Sequence, residues 1–288
     1  MTPDTPTDRM LTVAMQAAIE GARELMKVYG SDRLDVELKS DNSPVTRADK
    51  ASDRTIASVL GATGLPVLSE ESLHEDYEQR RHHRRLWIVD PLDGTKEFIK
   101  RNGQFAVCIA LAEEGRAVLG VIFVPCEGRL YWGASGHAWR LADRLWQQHT
   151  TARVLTRPRQ SLPLHGVRQP LTVYGSVSHP TPQTDTFVAR LAQAGIRAEL
   201  VRLGSAIKMC RMAEGNAALY PRFGTTMEWD TAAGQAILEQ VGGCLHAFPA
   251  NSPMRYNRPV LRNPDFLAVA PGVDARMALA IMETVAGK

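Results

Sequence analysis

Between residues 105 and 141 the chain interrupts its apolar runs at short, regular intervals, and this rhythm restricts the fold more than any other feature. Residues 105–113, 117–125, 129–133 and 138–141 are separated by Glu114-Gly115, Glu127-Gly128 and Ser135-Gly136. Links this short join neighbouring antiparallel strands, because a parallel pair needs a crossover of about a dozen residues or more. The spacing predicts an antiparallel meander. Two short apolar runs, 66–69 and 86–89, precede it as further strands.

After residue 170 the rhythm changes. Strand candidates at 171–176, 197–203 and 217–220 alternate with helix candidates at 186–194, 205–214 and 230–241. Gly195, Gly215 and Gly242-Gly243 stop these helices. Such alternation predicts parallel βαβ units. At the N-terminal end, 10–29 has helical spacing, with Leu11, Ala14, Ala18, Leu25 and Met26 on one face. Thr7 or Asp8 is its expected cap and Gly30 its stop. A loop at 39–46 leads to a second helix, 47–60, with Ala51, Ile56 and Leu60 inward. The expected division is an antiparallel α+β half, residues 1–155, and a mostly parallel α/β half, residues 156–288, forming one catalytic unit with its site at the junction. The join falls within 151–170, a stretch rich in Arg, Pro and Gln.

Composition excludes several classes. With 44% hydrophobic and 23% charged residues the chain is ordinary globular material. A net charge of +3 is too small to imply a nucleic-acid partner. No apolar run approaches the ~18 residues of a membrane span, and the N-terminus lacks a secretory signal pattern. The four cysteines, Cys108, Cys126, Cys210 and Cys244, form no C-x-x-C pair and sit in apolar contexts, as reduced small hydrophobes in a reducing compartment do. The run Arg80-Arg81-His82-His83-Arg84-Arg85 has no interleaved aromatics and is expected as a solvated loop. Trp87, Trp132, Trp139 and Trp229 are expected in the core. G-x-x-x-x-G-K-[ST] and G-x-S-x-G are both absent.

The chemistry concentrates in Asp90-Pro91-Leu92-Asp93-Gly94-Thr95. It follows the run Leu86-Trp87-Ile88-Val89, so a buried strand delivers two carboxylates and a hydroxyl to one end. Alone, these are ordinary turn residues. Glu70 and Glu71 follow another strand and Asp230 opens a helix, which places several acids at the ends of elements, where α/β folds carry their sites. Oxygen ligands without His or Cys suit Mg²⁺. Two divalent ions can relieve the repulsion among such acids and clamp a phosphate. Thr95 is a hydroxyl able to orient a water, and the backbone of residues 94–96 offers N–H groups to phosphate if a helix starts there.

These segments resemble the magnesium-dependent, lithium-sensitive phosphatases of the inositol monophosphatase superfamily. The D-P-[IL]-D-G-T signature is matched at 90–95, the upstream Glu pair by Leu68-Ser69-Glu70-Glu71-Ser72, the W-D-x-x-A block by Trp229-Asp230-Thr231-Ala232-Ala233, and G-S-x-x-K by Gly204-Ser205-Ala206-Ile207-Lys208. The motifs run in family order across about residues 40–270. Asp41-Asn42-Ser43-Pro44-Val45-Thr46-Arg47-Ala48-Asp49 resembles the segment that supplies a catalytic Asp. Lys96-Glu97-Phe98-Ile99-Lys100-Arg101-Asn102-Gly103 and Leu219-Tyr220-Pro221-Arg222-Phe223-Gly224 are similar to the CysQ-type 3′(2′),5′-bisphosphate nucleotidases within it. Relatives often carry Ser-Arg-Ser-His where this chain has Ser176-Val177-Ser178-His179, a second Ser at Ala206, Asn at Cys108 and Glu at Gln104. None of these departures removes an expected metal ligand.

The resemblance implies a layered αβαβα sandwich and hydrolysis of the 3′-phosphate of adenosine 3′,5′-bisphosphate to AMP and phosphate. It implies two or three Mg²⁺ ions held by Glu70, Asp90, the Leu92 carbonyl, Asp93 and Asp230. Asp49 would hold Thr95, which with Glu70 activates the water. Glu70, Leu92, Asp93, Gly94, Thr95 and Asp230 would surround the scissile phosphate, with Ser205, Lys208 and Arg222 toward the rest of the nucleotide. An inositol or sugar monophosphatase, or a metal- or nucleotide-binding regulator without turnover, are the alternatives. The partner is a small phosphate ester rather than a nucleic acid. A cytoplasmic enzyme is expected, with room for a homodimer and for a peripheral place at the inner face of the cell membrane.

Overall fold

The computed structural model describes residues 5–38, 44–72, 75–143, 147, 154 and 157–286. Helix α1 (Pro6–Tyr29) opens the chain. Its cap is Thr5, one half of a reciprocal capping box with Asp8, and not Thr7 or Asp8 itself. Pro6 explains the earlier start, since proline fits the first turn of a helix, where no N–H partner is needed. Strands β1 (Val36–Leu38) and β2 (Pro44–Thr46) pair antiparallel, so the expected 39–46 loop ends in a strand; its residues 39–43 lie outside the described residues. Then come α2 (Arg47–Gly61), β3 (Val67–Ser69), the one-turn α3 (Tyr77–Arg80), β4 (Arg85–Asp93) and α4 (Thr95–Ile99). The expected meander follows as β5 (Ala106–Glu113), β6 (Arg116–Val124), β7 (Arg129–Ala134) and β8 (His137–Ala142), each paired antiparallel with the next.

From the join onward come β9 (Gln160–Ser161), β10 (Leu171–Ser176), α5 (Pro182–Gln193), β11 (Ala198–Leu203), α6 (Ile207–Glu214), β12 (Leu219–Arg222), α7 (Glu228–Glu239), β13 (Cys244–Ala247), β14 (Ser252–Pro253), β15 (Phe266–Val269) and α8 (Arg276–Ala286). Residues 151–153, 155 and 156 of the expected join lie outside the described residues. Strand β9 lies inside that stretch and pairs with β8, so the chain adds one more strand to the first sheet past the expected division at 155/156.

The first sheet has the order β3-β4-β5-β6-β7-β8-β9 and the second β11-β10-β12-β15-β13-β14. In the second, β10 runs parallel to β11 and β12, while β15 is antiparallel to β12 and β13. That sheet is therefore mixed rather than mostly parallel. The βαβ rhythm ends at residue 243, and β15 returns from beyond it to insert between β12 and β13. The layers run α1 and α2, first sheet, α6 and α7, second sheet, α5 and α8, which is the αβαβα sandwich.

Both faces of the first sheet are buried, which is why its strands read as continuous apolar runs instead of alternating ones. Along β5, Val107, Ile109 and Leu111 face α1 and α2, whereas Ala106, Cys108, Ala110 and Ala112 face the α7 layer. The small residues on that second side let α7 lie close. A methyl at Gly133 would stand 2.8 Å from the Cα of Ile237, and one at Gly120 would stand 2.9 Å from the Ala236 Cβ. Helix α7, from the second half of the chain, is thereby packed against the strands that carry the first half's acids.

The basic run is only partly a solvated loop. Arg80 is buried, donating to the Asn257 Oδ1 (2.6 Å) and to the Arg258 carbonyl (3.1 Å). Of the tryptophans, Trp87, Trp132 and Trp229 are buried and Trp139 is partly so. The four cysteines are free thiols.

Candidate active site

Strand β4 does not stop at Val89. It continues through Asp93, with a register shift against β5 between Asp90 (opposite Cys108) and Asp93 (opposite Ala106). Three steps on β4 oppose two on β5, a bulge that re-aims side chains next to a site. Gly94 then takes a left-handed conformation (φ 98°), where a Cβ would stand 2.9 Å from the Gln104 carbonyl oxygen. Only glycine fits both the angle and the space. Helix α4 begins at once, so the first-turn N–H groups of this segment have no intrahelical acceptor.

Glu70 stands just past β3, and its N–H donates to the Val89 carbonyl (3.2 Å), which ties the two acid-bearing strand ends together. Asp230 is the third residue of α7 and accepts from the Met227 N–H (2.9 Å). Glu70, Asp90, Leu92, Asp93, Gly94, Thr95, Ser205, Lys208, Arg222 and Asp230 all line one cavity between the two sheets. Of the expected catalytic, metal and substrate residues only Asp49 is outside its wall, and of the Glu70-Glu71 pair only Glu70 lines it. Asp49 lies directly behind Thr95, 1% exposed.

Asp49 serves two neighbours with its two oxygens. Its Oδ2 accepts from the Thr46 N–H (2.7 Å) and hydroxyl (2.6 Å), closing the capping box of α2. Its Oδ1 accepts from the Thr95 hydroxyl (3.1 Å). The Leu92 carbonyl is a second, longer acceptor for that hydroxyl (3.3 Å); with the proton on the nearer carboxylate, the Thr95 oxygen has a lone pair available for a proton on the cavity side.

The acids crowd each other. Asp90 is pushed well above the usual carboxylate range, first by burial and then by Glu70, Asp93 and Asp230. Asp93 is raised to about 6, chiefly by burial, against the lowering effects of Lys208 and the Ala206 N–H. Asp230 is raised to about 8 by burial, Asp93 and Glu70. No three His, Cys, Asp or Glu side chains among the described residues already meet at one ligating point. Each aspartate instead accepts a backbone N–H: Asp90 from Leu92 (3.0 Å), Asp93 from Ala206, Asp230 from Met227. A set of hard oxygen donors with unneutralised mutual charge fits a divalent cation of the Mg²⁺ kind.

A pH dependence follows from these shifts. A carboxyl with a folded-state pKa above its unfolded value favours the fold below the unfolded pKa and loses that contribution as pH rises through the folded one. The chain in chelator is expected to lose thermal stability as pH climbs from the ordinary carboxyl value of 3.8 to about 8, steeply up to about 6, where Asp93 and Asp230 both contribute, and more gently from there to about 8 on Asp230, and Mg²⁺ is expected to remove the loss. Melting followed by circular dichroism in EDTA and in Mg²⁺ measures it; equal slopes in the two conditions would count against the shared charge.

The same cavity carries cationic groups beside the acids. Lys96 lies 2.8 Å from the His179 Nε2, joining α4 to the turn after β10. The His179 pKa is lowered by burial and then by Lys96 and Arg222, so the ring is a neutral acceptor in a positive field. Arg222 is buried, donating to the Thr225 (2.9 Å) and His179 (3.4 Å) carbonyls, while its Nε has no hydrogen-bond partner. Lys208 is buried too and donates to the Ser205 (2.6 Å) and Leu203 (3.2 Å) carbonyls. That pins the left-handed Ser205 turn (φ 48°) at the mouth of α6. Lys96, Ser178 and His179 were not among the expected site residues. Their signal was weak, because nothing in the sequence says that the turn after β10 folds over α4.

Fold and site together define the chain's class: it belongs to the inositol monophosphatase family, whose profile matches residues 7–285. Among relatives, it is 40% identical to the 3′(2′),5′-bisphosphate nucleotidase CysQ of Shigella flexneri over 89% of this chain and 98% of that one. It is 32% identical to the CysQ of Haemophilus influenzae over 92% and 94%. The crystal structure of CysQ from Bacteroides thetaiotaomicron superposes with a TM-score of 0.81 at 41% identity, covering 90% of this chain and 96% of that one. An inositol monophosphatase from Zymomonas mobilis, 22% identical with a TM-score of 0.72, shares the fold.

Proposed function

We propose that the chain is a Mg²⁺-dependent 3′(2′),5′-bisphosphate nucleotidase, removing the 3′-phosphate of adenosine 3′,5′-bisphosphate to give AMP and phosphate. The observation that carries this is the two-signed cavity: the acids Glu70, Asp90, Asp93 and Asp230 share it with the cations Lys96, Lys208 and Arg222, among which Glu97 is the one further acid. A monoester with one phosphate has use for the first set only. A substrate with two phosphates uses both. The CysQ relatives carry that activity in their names.

Glu70, Asp90, Asp93, Asp230 and the Leu92 carbonyl hold two or three Mg²⁺ ions. When bound, Mg²⁺ supplies a nucleophilic water at neutral pH and neutralises charge on the phosphoryl group and leaving oxygen. Thr95 passes its hydroxyl proton to the Asp49 Oδ1 as it takes one proton from the attacking water, with Glu70 as the second acceptor. The N–H groups of residues 94 and 95 bind the scissile phosphate, and Ser205 and Lys208 hold the turn at the mouth of α6. Arg222 and Lys96 bind the distal phosphate. The two halves, residues 1–155 and 156–288, work as one unit, with Asp230 supplied across the junction. All these groups come from one chain, so the chemistry requires no second copy. No helix among the described residues is long and apolar enough to cross a membrane, and the free thiols suit the cytoplasm.

Phosphate release from a panel tests the assignment. Adenosine 3′,5′-bisphosphate is expected to be hydrolysed fastest, with no release in EDTA; faster release from inositol 1-phosphate would make the chain a monophosphatase, and tight nucleotide binding without release a regulator. Arg222→Met is expected to raise KM for the bisphosphate about tenfold or more, the ~1.5–3 kcal/mol of a charge-assisted hydrogen bond. It should leave kcat/KM for adenosine 3′-monophosphate nearly unchanged. An equal loss on both substrates would remove Arg222 from the distal phosphate.

A further inference from the structure

Beyond the cavity wall, a connected polar cluster grips the first turn of α7, the turn that presents Asp230. Glu228 is fully buried and accepts from the Asn257 N–H (2.6 Å), the Arg258 N–H (3.0 Å) and the Arg258 Nε (3.0 Å). Arg258 reaches on to the Asn263 Oδ1 (2.7 Å). Asn263 is 4% exposed, and its Nδ2 donates to the Met227 carbonyl (2.6 Å) and the Thr231 hydroxyl (3.0 Å). Its own N–H donates to the Thr226 carbonyl (2.8 Å). The Met227 N–H in turn donates to the Asp230 carboxylate. One peptide residue therefore separates the Asn263 amide from the expected metal ligand.

We propose that Asn263, held by Arg258 and Glu228, is a positioning residue for Asp230. Its side chain fixes the Met227 carbonyl and its N–H fixes the Thr226 carbonyl, so both peptide planes flanking Met227 are held, the Met227 N–H is aimed at one Asp230 oxygen and the other is left toward the cavity. Glu228, Arg258 and Asn263 are themselves absent from the cavity lining, and Asn263 meets it only from behind, through its bonds to Thr226 and Thr231. It also ties in Arg80, whose guanidinium and carbonyl both bond the Asn257 side chain. This accounts for the buried start of the basic run, ten residues after Glu70. The start of the basic run and the first turn of α7 thus share one anchor outside the site. The buried side-chain groups of Glu228, Arg258 and Asn263 are all bonded, the Arg80 Nε being the one orphaned atom at the edge of the network, and a paired network of this kind fixes a unique geometry. Groups that orient a ligating carboxylate typically change metal affinity by about 10–100-fold.

The inference rests on Asp230 as a Mg²⁺ ligand. The test is Mg²⁺ binding by titration calorimetry on substrate-free wild type, Asn263→Ala and Asn263→Asp, with hydrogen exchange of the residue 227–231 amides in chelator. Asn263→Asp keeps the acceptor for Arg258 but loses the donors to Met227 and Thr231. Both variants are expected to bind Mg²⁺ about tenfold or more weakly and to exchange faster in the α7 first turn. The kcat at saturating Mg²⁺ should stay near wild type. Tyr131→Phe, which removes the hydroxyl bond to the buried Glu214 (2.9 Å) far from this turn, is a stability control. It is expected to lower Tm without moving Mg²⁺ affinity. Wild-type binding in a folded Asn263→Asp, or an equal shift in Tyr131→Phe, would overturn the positioning role. Absence of Mg²⁺ binding by the wild type would remove the metal assignment itself, and this inference with it.

Discussion

Asp90→Asn is expected to lower turnover by on the order of a thousandfold or more, about 4 kcal/mol of transition-state stabilisation, while leaving the metal-free fold as stable as the parent or more so. The two effects have opposite signs for one reason. Asp90 is 1% exposed, and its charge is opposed by burial and by Glu70, Asp93 and Asp230. The asparagine keeps the Oδ1 acceptor that the Leu92 N–H uses, so the bulge geometry survives. What disappears is the negative charge that the site needs only when a cation is bound. Phosphate release at saturating Mg²⁺ and melting in EDTA measure the two halves of the prediction. Near-normal turnover would remove Asp90 from the metal set. A large drop in Tm would show that the aspartate serves the fold instead.

The opposite signs explain why this segment is legible in sequence. Residues chosen for stability disappear into periodicity, as Leu86 to Val89 do. Residues kept against stability stand out, and four acids at element ends have no structural use that a neutral residue would not serve better. The layered fold is legible for a related reason. Turn pairs such as Glu114-Gly115 fix the meander locally, and glycines after helices fix the α/β half. What stays hidden depends on long-range return of the chain. Strand β15 antiparallel to β12 makes the second sheet mixed, and the residue 255–263 segment reaches back to Glu228 and Met227. Lys96 meeting His179 joins positions 83 residues apart. No local pattern encodes such meetings. The extension of β4 past Pro91 was hidden differently, because proline and glycine mark turns, and here they mark a bulge instead.

The remaining large effect lies behind the cavity wall. Thr95→Ala is expected to reduce kcat by about 10²–10⁴-fold, the usual worth of a positioned proton acceptor, with KM nearly unchanged. Asp49→Asn is expected to act through the same water. Its amide can turn its NH₂ toward Thr95, and the threonine hydroxyl then loses the carboxylate that takes its proton and keeps only the Leu92 carbonyl (3.3 Å) or the attacking water as acceptor, neither of which can serve as a base. The alternative rotamer gives Thr95 its oxygen but takes the acceptor away from the Thr46 N–H and hydroxyl, at the cost of about 1 kcal/mol of capping energy. Either way the two side chains act as one device, so their losses should not add. The double variant is expected to be no slower than the worse single one, and Thr95→Ser is expected to restore most of the rate, since it keeps the hydroxyl that bonds Asp49 (3.1 Å). Single-turnover kinetics with the four proteins closes the cycle. Additive losses would mean that Asp49 matters only as the cap of α2, and the water-activating role would then pass to Glu70 alone.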